Sequence, residues 1–594
     1  MSRPALNVLL AIGFLGVAGA VAVASGAPPT GYEPSIYEGT PTLFWLGIGV
    51  AFAVALPTAL VCRGRRQGLG IALGSSAAVA VVALPAIRGY RFSGMGDALT
   101  HLGWTRDFLG AEMFPHELFY PGLHSFAAIL SRVGGIGPER ALLFGVVFLF
   151  VPFVLFVPLA VRALGGGPSA VGLGAIVSWF VLPINNVATH TGVHTNSNAL
   201  FYVPVVLFAI LAYLRRRDDR ERLFGLSPFG LLVVASGIGL LLVHPQQMIN
   251  VVVVLASISL VQLLARWRLE DGPFLEHPTA YAHTAVLGGV FLVWSVANER
   301  FRQAASGLVY GILTYDVGAS GEVEQRETSL AEIGGSLPEL FGKLFLVSAL
   351  VGLAVGLFVL LTWLGVTDVD RERKALVTYL GVALVPLGAI FLVYFVGTPT
   401  MAFRQVGFIY VLLTVLAGLA LAHGRGWLAG GISTPGADTV VSLVLAGCLV
   451  LALATVFASP FIYTPSQHVT DQKVSGYESS FEHGGDRLYA GFGFGVARYA
   501  DGIHGVESPD RERYEQLSDG VVDPEAFENG NYSGAYEGFD YYFVSTSYDE
   551  SREFDVYGEL HHTERGLSGI DAEPNADRVV SNEEFRMYAV DGVD

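Results

Sequence analysis

Residues 141–163 read ALLFGVVFLFVPFVLFVPLAVRA, with a single charge, Arg162, next to the end. A helix of this length rises about 34 Å, enough to cross the ~30 Å hydrocarbon core of a bilayer. The run does not stand alone. Similar apolar stretches lie near residues 5–25, 41–62, 69–88, 169–187, 198–214, 227–243, 248–266, 284–298, 341–365, 375–396, 405–422 and 438–459, the ninth in chain order being short. The chain is 52% hydrophobic and 15% charged, whereas a soluble domain carries about 25% charged residues. The expected fold is mainly α, a polytopic transmembrane bundle of about 13 helices.

The loops give the bundle a direction. RGRR (63–66), Arg162, RRRDDRER (215–222), ARWR (265–268), RERK (371–374) and Arg425 fall on alternate connections. Positive charge marks the cytoplasmic side of a membrane protein. The N-terminus is therefore expected in the cytoplasm. The loops 26–40, 89–140, 188–197, 244–247, 299–340 and 397–404 are expected outside the cell membrane, together with the C-terminal tail. The first run ends AVAVASGA, similar to a signal-peptide cleavage site, but its length favours a retained helix.

Charge also divides the chain. Residues 460–594 contain 28 acidic and 9 basic residues, while the rest is close to neutral. Two domains are expected, a transmembrane part at 1–459 and an acidic extracytoplasmic part at 460–594. In the tail, DYYFVSTSY (540–548) reads as a strand and RVVSNEEFRMYAV (578–590) as a hairpin, so a small α+β domain is predicted on the outer face. An anionic surface repels phosphodiester backbones and excludes nucleic acid as a partner. Lysine occurs only at 343, 374 and 473, and acid-rich, lysine-poor surfaces are typical of proteins from high salt. Cys62 and Cys448 both lie in or beside apolar runs, which argues against a structural disulfide or cysteine-ligated metal.

The chemistry concentrates outside. GMGDALTHLGW (94–104) follows the third apolar run, and Asp97, His101 and Thr105 recur at helical spacing, with Leu99, Leu102 and Leu109 on another face. That pattern predicts an amphipathic interfacial helix in the large outer loop. Asp97 can cap this helix, since Gly-Asp before an apolar-periodic run is a common N-cap pattern. It can also act as a base on a bound hydroxyl. His101 can tune that carboxylate, bind the acceptor or share a metal with it. FPHELFYPGLH (114–124) adds His116, Glu117, Tyr120 and His124.

Other outer polar groups are candidates for donor or acceptor binding: His190 in NNVATHTGVHTNSN (185–198), and His244 with Gln246 in LLVHPQQMIN (241–250). Polar groups at membrane edges are costly and invite a functional reading. The competing reading is a solvated turn, which Pro245 suits and which is preferred for His194. Arg404 in GTPTMAFRQVGFIY (397–410) is the sole charge between two apolar runs, on the side where the positive-inside bias disfavours it. Its planar fork suits a phosphate, the alternative being an arginine that snorkels to lipid headgroups. Arg300 and Arg302 in ANERFRQ (297–303) either serve the same anion or flank a helix. SGLVYGILTYDVG (306–318) reads as re-entrant or interfacial. The chain contains no Walker P-loop, GxSxG elbow or HExxH.

This layout resembles the GT-C superfamily of integral membrane glycosyltransferases, which have many helices, an acidic residue in a large early outer loop and often an outer soluble domain. GDALTHLGWTRDFLG (96–110) resembles that loop, with Asp97 at the position of the catalytic acid. ADRVVSNEEFRMY (576–588) is similar to a strand-rich motif, NRVYSNGGFELY, of archaeal GT-C-like proteins. The resemblance implies a polyprenyl-phosphate sugar donor of the dolichyl-phosphate type. It makes Asp97 the base that deprotonates an acceptor hydroxyl, and makes Arg404 the group that holds the lipid phosphate as it leaves. More than one helix precedes the Asp97 loop, where many members have one. No two tryptophans are adjacent, so the WWDYG motif of oligosaccharyltransferases is missing. A single acid, rather than an Asp-Asp or Asp-Glu pair, leaves metal dependence open, Mg or Mn with Asp97 and His101 as ligands being the form it would take.

The expected function is transfer of a sugar from a polyprenyl phosphate to an extracytoplasmic acceptor, a lipid-linked or surface glycan, in contact with membrane lipid. The alternatives are a transporter or flippase of lipid-linked glycans and a non-enzymatic cell-envelope assembly protein.

Overall fold

A computed structural model describes residues 3–215, 227–299, 302–303, 306, 335–397, 399–493, 495–536 and 538–593. RRRDDRER beyond Arg215, Arg300 and SGLVYGILTYDVG beyond Ser306 lie outside the described residues. Each of the thirteen apolar runs forms a helix. In chain order, with two further helices of the large loop, they are α1 (Arg3–Ser25), α2 (Thr42–Val61), α3 (Arg65–Val82), α4 (Asp97–Gly110), α5 (Gly122–Gly134), α6 (Pro138–Ala163), α7 (Pro168–Ser178), α8 (Thr195–Arg215), α9 (Pro228–Val243), α10 (Pro245–Arg268), α11 (Tyr281–Ala297), α12 (Leu337–Trp363), α13 (Arg371–Gly397), α14 (Pro399–Gly431) and α15 (Thr434–Ala454).

Nine of these, among the described residues, are long and apolar enough to cross a membrane; α7, α9 and α11 are apolar but shorter. The protein is a multi-pass membrane protein. The run expected at 169–187 is helical only to Ser178. Val181 then adopts φ +52° and the chain turns through Pro183 towards Asn185. Serines start several helices: Ser227, Ser336 and Ser433 accept from the N–H groups of Gly230, Glu339 and Gly436, each with a proline in the first turn. A hydroxyl there satisfies a helix-terminal N–H, and proline adds no unpaired donor.

The large loop divides into two layers. Helix α5 leaves Ile129 and Val133 exposed, as does the loop before it at Phe114, which matches an interfacial position. Helix α4 is covered instead: Ala98 through Thr105 are all buried. Its cover is the tail.

The tail is stapled to the loop that precedes Asp97. Strand β1 (Phe92–Ser93) pairs antiparallel with β2 (His468–Val469), Phe92 opposite Val469. Gly94 N donates to Gln467 O at 2.9 Å. Beyond β2, helices α16 (Asp471–His483), α17 (Val496–His504) and α18 (Pro509–Gln516) accompany a five-stranded sheet. Its strands are β3 (Leu488–Gly491), β4 (Ser518–Val521), β5 (Tyr541–Thr546), β6 (Ala576–Ser581) and β7 (Phe585–Val590), in the order β4-β3-β5-β7-β6. DYYFVSTSY contains β5, and the predicted hairpin is β6–β7, antiparallel, turning at Asn582–Glu584. The parallel pairs β3–β4 and β3–β5 have no counterpart in the sequence reading.

The sheet buries both faces. Tyr541, Phe543 and Phe527 belong to a core of the tail alone. Tyr489, Tyr499, Phe585 and Met587 belong to an apolar core continuous with the helix bundle. That continuity holds α17 rigidly against α4. Gly103 of α4 packs directly on α17: a Cβ there would run into the carbonyl oxygen of Asp501.

Candidate functional site

Where α4 meets α17, a cavity of about 240 Å³ opens at the end of the bundle. It is lined by Asp97, Thr100, His101 and Trp104 from α4, Tyr120 from the loop, and His194 and Thr195 at the start of α8. His244 lies between α9 and α10, Arg404 on α14, and Arg498, Val506 and Arg511 on the tail. Five separate stretches of the bundle and one of the tail converge here.

Asp97 is the first helical residue of α4, not its cap. The capping position is Gly96, at φ +59°, and no side chain makes a cap bond. That φ suits glycine, which explains the Gly-Asp pair. The capping reading of Asp97 is thus replaced: its carboxylate turns into the cavity, where Oδ1 lies 3.0 Å from Arg498 Nη2. A negative charge in a first turn is still favoured by the helix dipole.

Arg404 sits in the first turns of α14. Its Nη1 touches Met401 Sδ at 3.8 Å, and its Nε is buried with no hydrogen-bond partner. It lines the cavity. Buried polar groups are nearly always paired, so the unpartnered Nε marks a guanidinium, lining the cavity, whose hydrogen bonding is incomplete. The local frame is built by Asn185. Its Oδ1 accepts from the N–H groups of Val187 and Ala188, and its Nδ2 donates to Phe403 O at 2.9 Å.

Burial disfavours the protonated form of the histidines around the cavity. His101 Nδ1 lies 3.1 Å from His124 Nε2. Burial, then the neighbouring His124, His244 and guanidinium charges, holds His101 well below the usual imidazole range. Burial, with the charge of Arg404, lowers His244 to about 3 and pushes His194 down as well. His194 Nδ1 is fixed by Ser197 Oγ at 2.7 Å, and His244 Nδ1 accepts from Gln246 N at 3.3 Å. With Nδ1 engaged in each ring, Nε2 is the atom through which a neutral imidazole can meet a sugar hydroxyl. Tyr120 packs on His244 with ring centroids 5.3 Å apart.

Of the residues singled out in the sequence, the cavity unites Asp97, His101, His244 and Arg404. Others lie apart. Glu117 is exposed and accepts from Phe114 N at 2.6 Å, closing its own turn. Arg302 is exposed and donates to Val296 O at 2.8 Å, at the end of α11. His190 lines a neighbouring small cavity with Asn186 and Gln467. Gln246 supports the wall, with Oε1 accepting from Asn196 Nδ2 at 3.4 Å. Among the described residues no three His, Cys, Asp or Glu side chains are grouped so as to hold a metal ion.

Sequence reasoning set His194 aside as a turn residue and passed over Arg498 and Arg511. The signal for the arginines is their scarcity, with nine basic residues against 28 acidic ones in the tail. Asp501 arranges them. It is fully buried, accepts from Thr100 Oγ1 at 2.5 Å and from Arg511 Nε at 2.5 Å, and so ties the tail to α4. Asp107 makes a second tie by accepting from the N–H of Val506 at 3.0 Å. Burial raises its carboxyl to about 6.

No known family profile matches the sequence, and no curated protein matches it. Solved structures of similar backbone course exist. ArnT from Cupriavidus metallidurans bound to undecaprenyl phosphate has a TM-score of 0.45 at 13% identity, covering 88% of this chain and 98% of that one. The Archaeoglobus fulgidus oligosaccharyltransferase AglB, in complex with an inhibitory peptide and a dolichol-phosphate, has a TM-score of 0.45 at 12% identity, with coverages of 86% and 74%. The arabinofuranosyltransferase AftD from Mycobacteria has a TM-score of 0.44 at 13% identity, with coverages of 90% and 40%. These proteins fall in the GT-C superfamily, the group that the sequence resembles. Likeness of this degree assigns no role to any residue here.

Proposed function

We propose that the protein is a GT-C-type membrane glycosyltransferase. It moves a sugar from a polyprenyl-phosphate donor, of the dolichyl-phosphate kind, to a hydroxyl of an extracytoplasmic glycan or glycolipid. Residues 1–459 form the transferase domain and 460–594 an outer domain that roofs the site. In this reading the end of the bundle that carries the cavity faces away from the cytoplasm, which the positive-inside bias of the arginine-rich loops supports.

One observation carries this reading: a carboxylate, Asp97, and a guanidinium with an unpartnered buried N–H, Arg404, line one cavity at the membrane edge. Glycosyl transfer from a phosphate needs those two groups together. The base takes the proton of the acceptor hydroxyl as its oxygen bonds to the anomeric carbon. The cation stabilises the phosphate as the carbon–oxygen bond to it breaks. Neutral His101, His194 and His244 supply hydrogen bonds to hydroxyls without adding charge. The faces of Trp104 and Tyr120 suit the apolar side of a sugar ring.

The test is donor binding. Arg404→Ala removes charge-assisted hydrogen bonds each worth about 1.5–3 kcal/mol. It should weaken polyprenyl-phosphate binding by the purified protein about 10- to 100-fold. Unchanged affinity would take Arg404 out of the site and with it the phosphate-donor reading.

A further inference from the structure

The two tail arginines in the cavity are held differently. Arg511 is fixed by two carboxylates: Nε lies 2.5 Å from Asp501 Oδ1, and Nη1 pairs with Glu515. Arg498 straddles the boundary between tail and bundle. Its Nη2 lies 3.0 Å from Asp97 Oδ1, its Nη1 donates to Thr100 Oγ1 at 2.6 Å, and Asp501 Oδ2 is 3.7 Å away. Asp501 is already taken by Arg511 and Thr100, so the main anionic partner of Arg498 is Asp97. The Arg498 side chain is 40% exposed and that of Asp97 56%.

We infer that Arg498 is a catalytic residue contributed by the tail, a cation that exchanges Asp97 for the departing phosphate during transfer. The inference rests on the transfer reading above. In the step, the acceptor O–H bond breaks and its proton goes to the Asp97 carboxylate. The acceptor oxygen bonds to the anomeric carbon. The bond from that carbon to the phosphate oxygen breaks, and its electron pair stays on the phosphate. Asp97 goes from one negative charge to none, and the phosphate goes from one to two. Arg498 therefore loses its anionic partner in the same event that creates a stronger one in the same cavity. Arg404 holds the donor phosphate from the start, whereas Arg498 engages it as charge develops. An interaction that strengthens only towards the transition state accelerates the reaction instead of merely tightening binding. In the absence of donor, the same pairing keeps the base occupied.

The test uses the full-length purified protein with a polyprenyl-phosphate sugar donor. Arg498→Ala should lower kcat about 100-fold, the usual loss for one preorganised donor to a developing anion. KM for the donor should change far less. Arg498→Lys should retain an intermediate rate. Guanidinium chloride at sub-denaturing concentration should restore turnover of Arg498→Ala at least about tenfold, with sodium chloride of equal ionic strength giving no rescue. A structural latch would lose its function through undocking of the tail, which a free cation does not repair. Wild-type turnover in Arg498→Ala, or a loss that guanidinium leaves unchanged, overturns the inference while the transfer reading stands. Wild-type protein that transfers no sugar overturns the transfer reading and this inference together.

Discussion

At the end of the bundle that bears the arginine-rich loops, polar groups are settled by near neighbours. Arg425 pairs with Asp438, His277 lies 3.2 Å from both Tyr379 Oη and Glu372 Oε1, and Arg215 donates to the carbonyls of Arg162 and Ala163. At the opposite end, groups from residues 97 to 511 converge on one cavity. There Arg404 keeps a buried N–H unpartnered, and Asp97 finds its cation, Arg498, in the C-terminal tail. Both ends contain arginines and carboxylates. They differ in reach: the groups named at the first end pair with local neighbours, whereas at the second, groups far apart in sequence meet on one cavity. Local pairs stabilise a fold, and polar groups that converge on a cavity bind something else.

The sharpest way to break this comparison is to remove one arginine from each end. Arg404→Ala should cost donor affinity, as stated above, with little change in thermal stability. Arg425→Ala should do the reverse. The Arg425 and Asp438 side chains are 14% and 15% exposed, and stranding the carboxylate should cost about 2 kcal/mol. Thermal unfolding should register that cost while donor affinity and turnover stay at wild-type values. Equal effects of the two variants on donor binding would erase the distinction between the ends.

A smaller effect concerns acid. Burial lowers His124 and His244 to about 3 and His190 to about 4, from an ordinary 6.5. Between those values the unfolded chain binds protons that the folded chain refuses, so stability falls as pH drops below 6.5. Asp107 opposes this. Its carboxyl is raised from 3.8 to about 6, so its contribution falls as pH rises through that window. Burial raises Asp549 as well, but six buried histidines against two carboxyls should leave the melting temperature lower at pH 5 than at pH 7. His244→Gln should reduce the difference. A melting temperature that rises on acidification would contradict the burial of neutral histidines around the cavity.

Much of this was legible in the chain, for identifiable reasons. Apolar runs such as 141–163 must be helical in a bilayer, because every backbone group has to be satisfied within the segment. Arg404 stood out because a lone cation on the outer side breaks a charge bias. The β6–β7 hairpin was visible around Ser581-Asn582. The rest depended on long-range contact. A cap stayed open beside the base reading of Asp97 because local pattern cannot show a partner 401 residues away, Arg498. His194 looked like a turn residue because its role comes from α8 packing beside α14. Glu117 and Arg302 have the right chemistry, but they spend it on carbonyl and amide groups nearby. Parallel pairing of β3 with β4 and β5 leaves no signature in short strands.

The most direct test of the account is sugar transfer by Asp97→Asn. The variant keeps the size of the side chain and loses its basicity. Purified in the same detergent and assayed with a polyprenyl-phosphate sugar and a hydroxyl acceptor, it should bind donor at least as tightly as the wild type, since Arg498 is freed, and turn over about 10³-fold more slowly. Wild-type turnover by Asp97→Asn would show that the carboxylate beside Arg498 takes no proton, and would contradict the account.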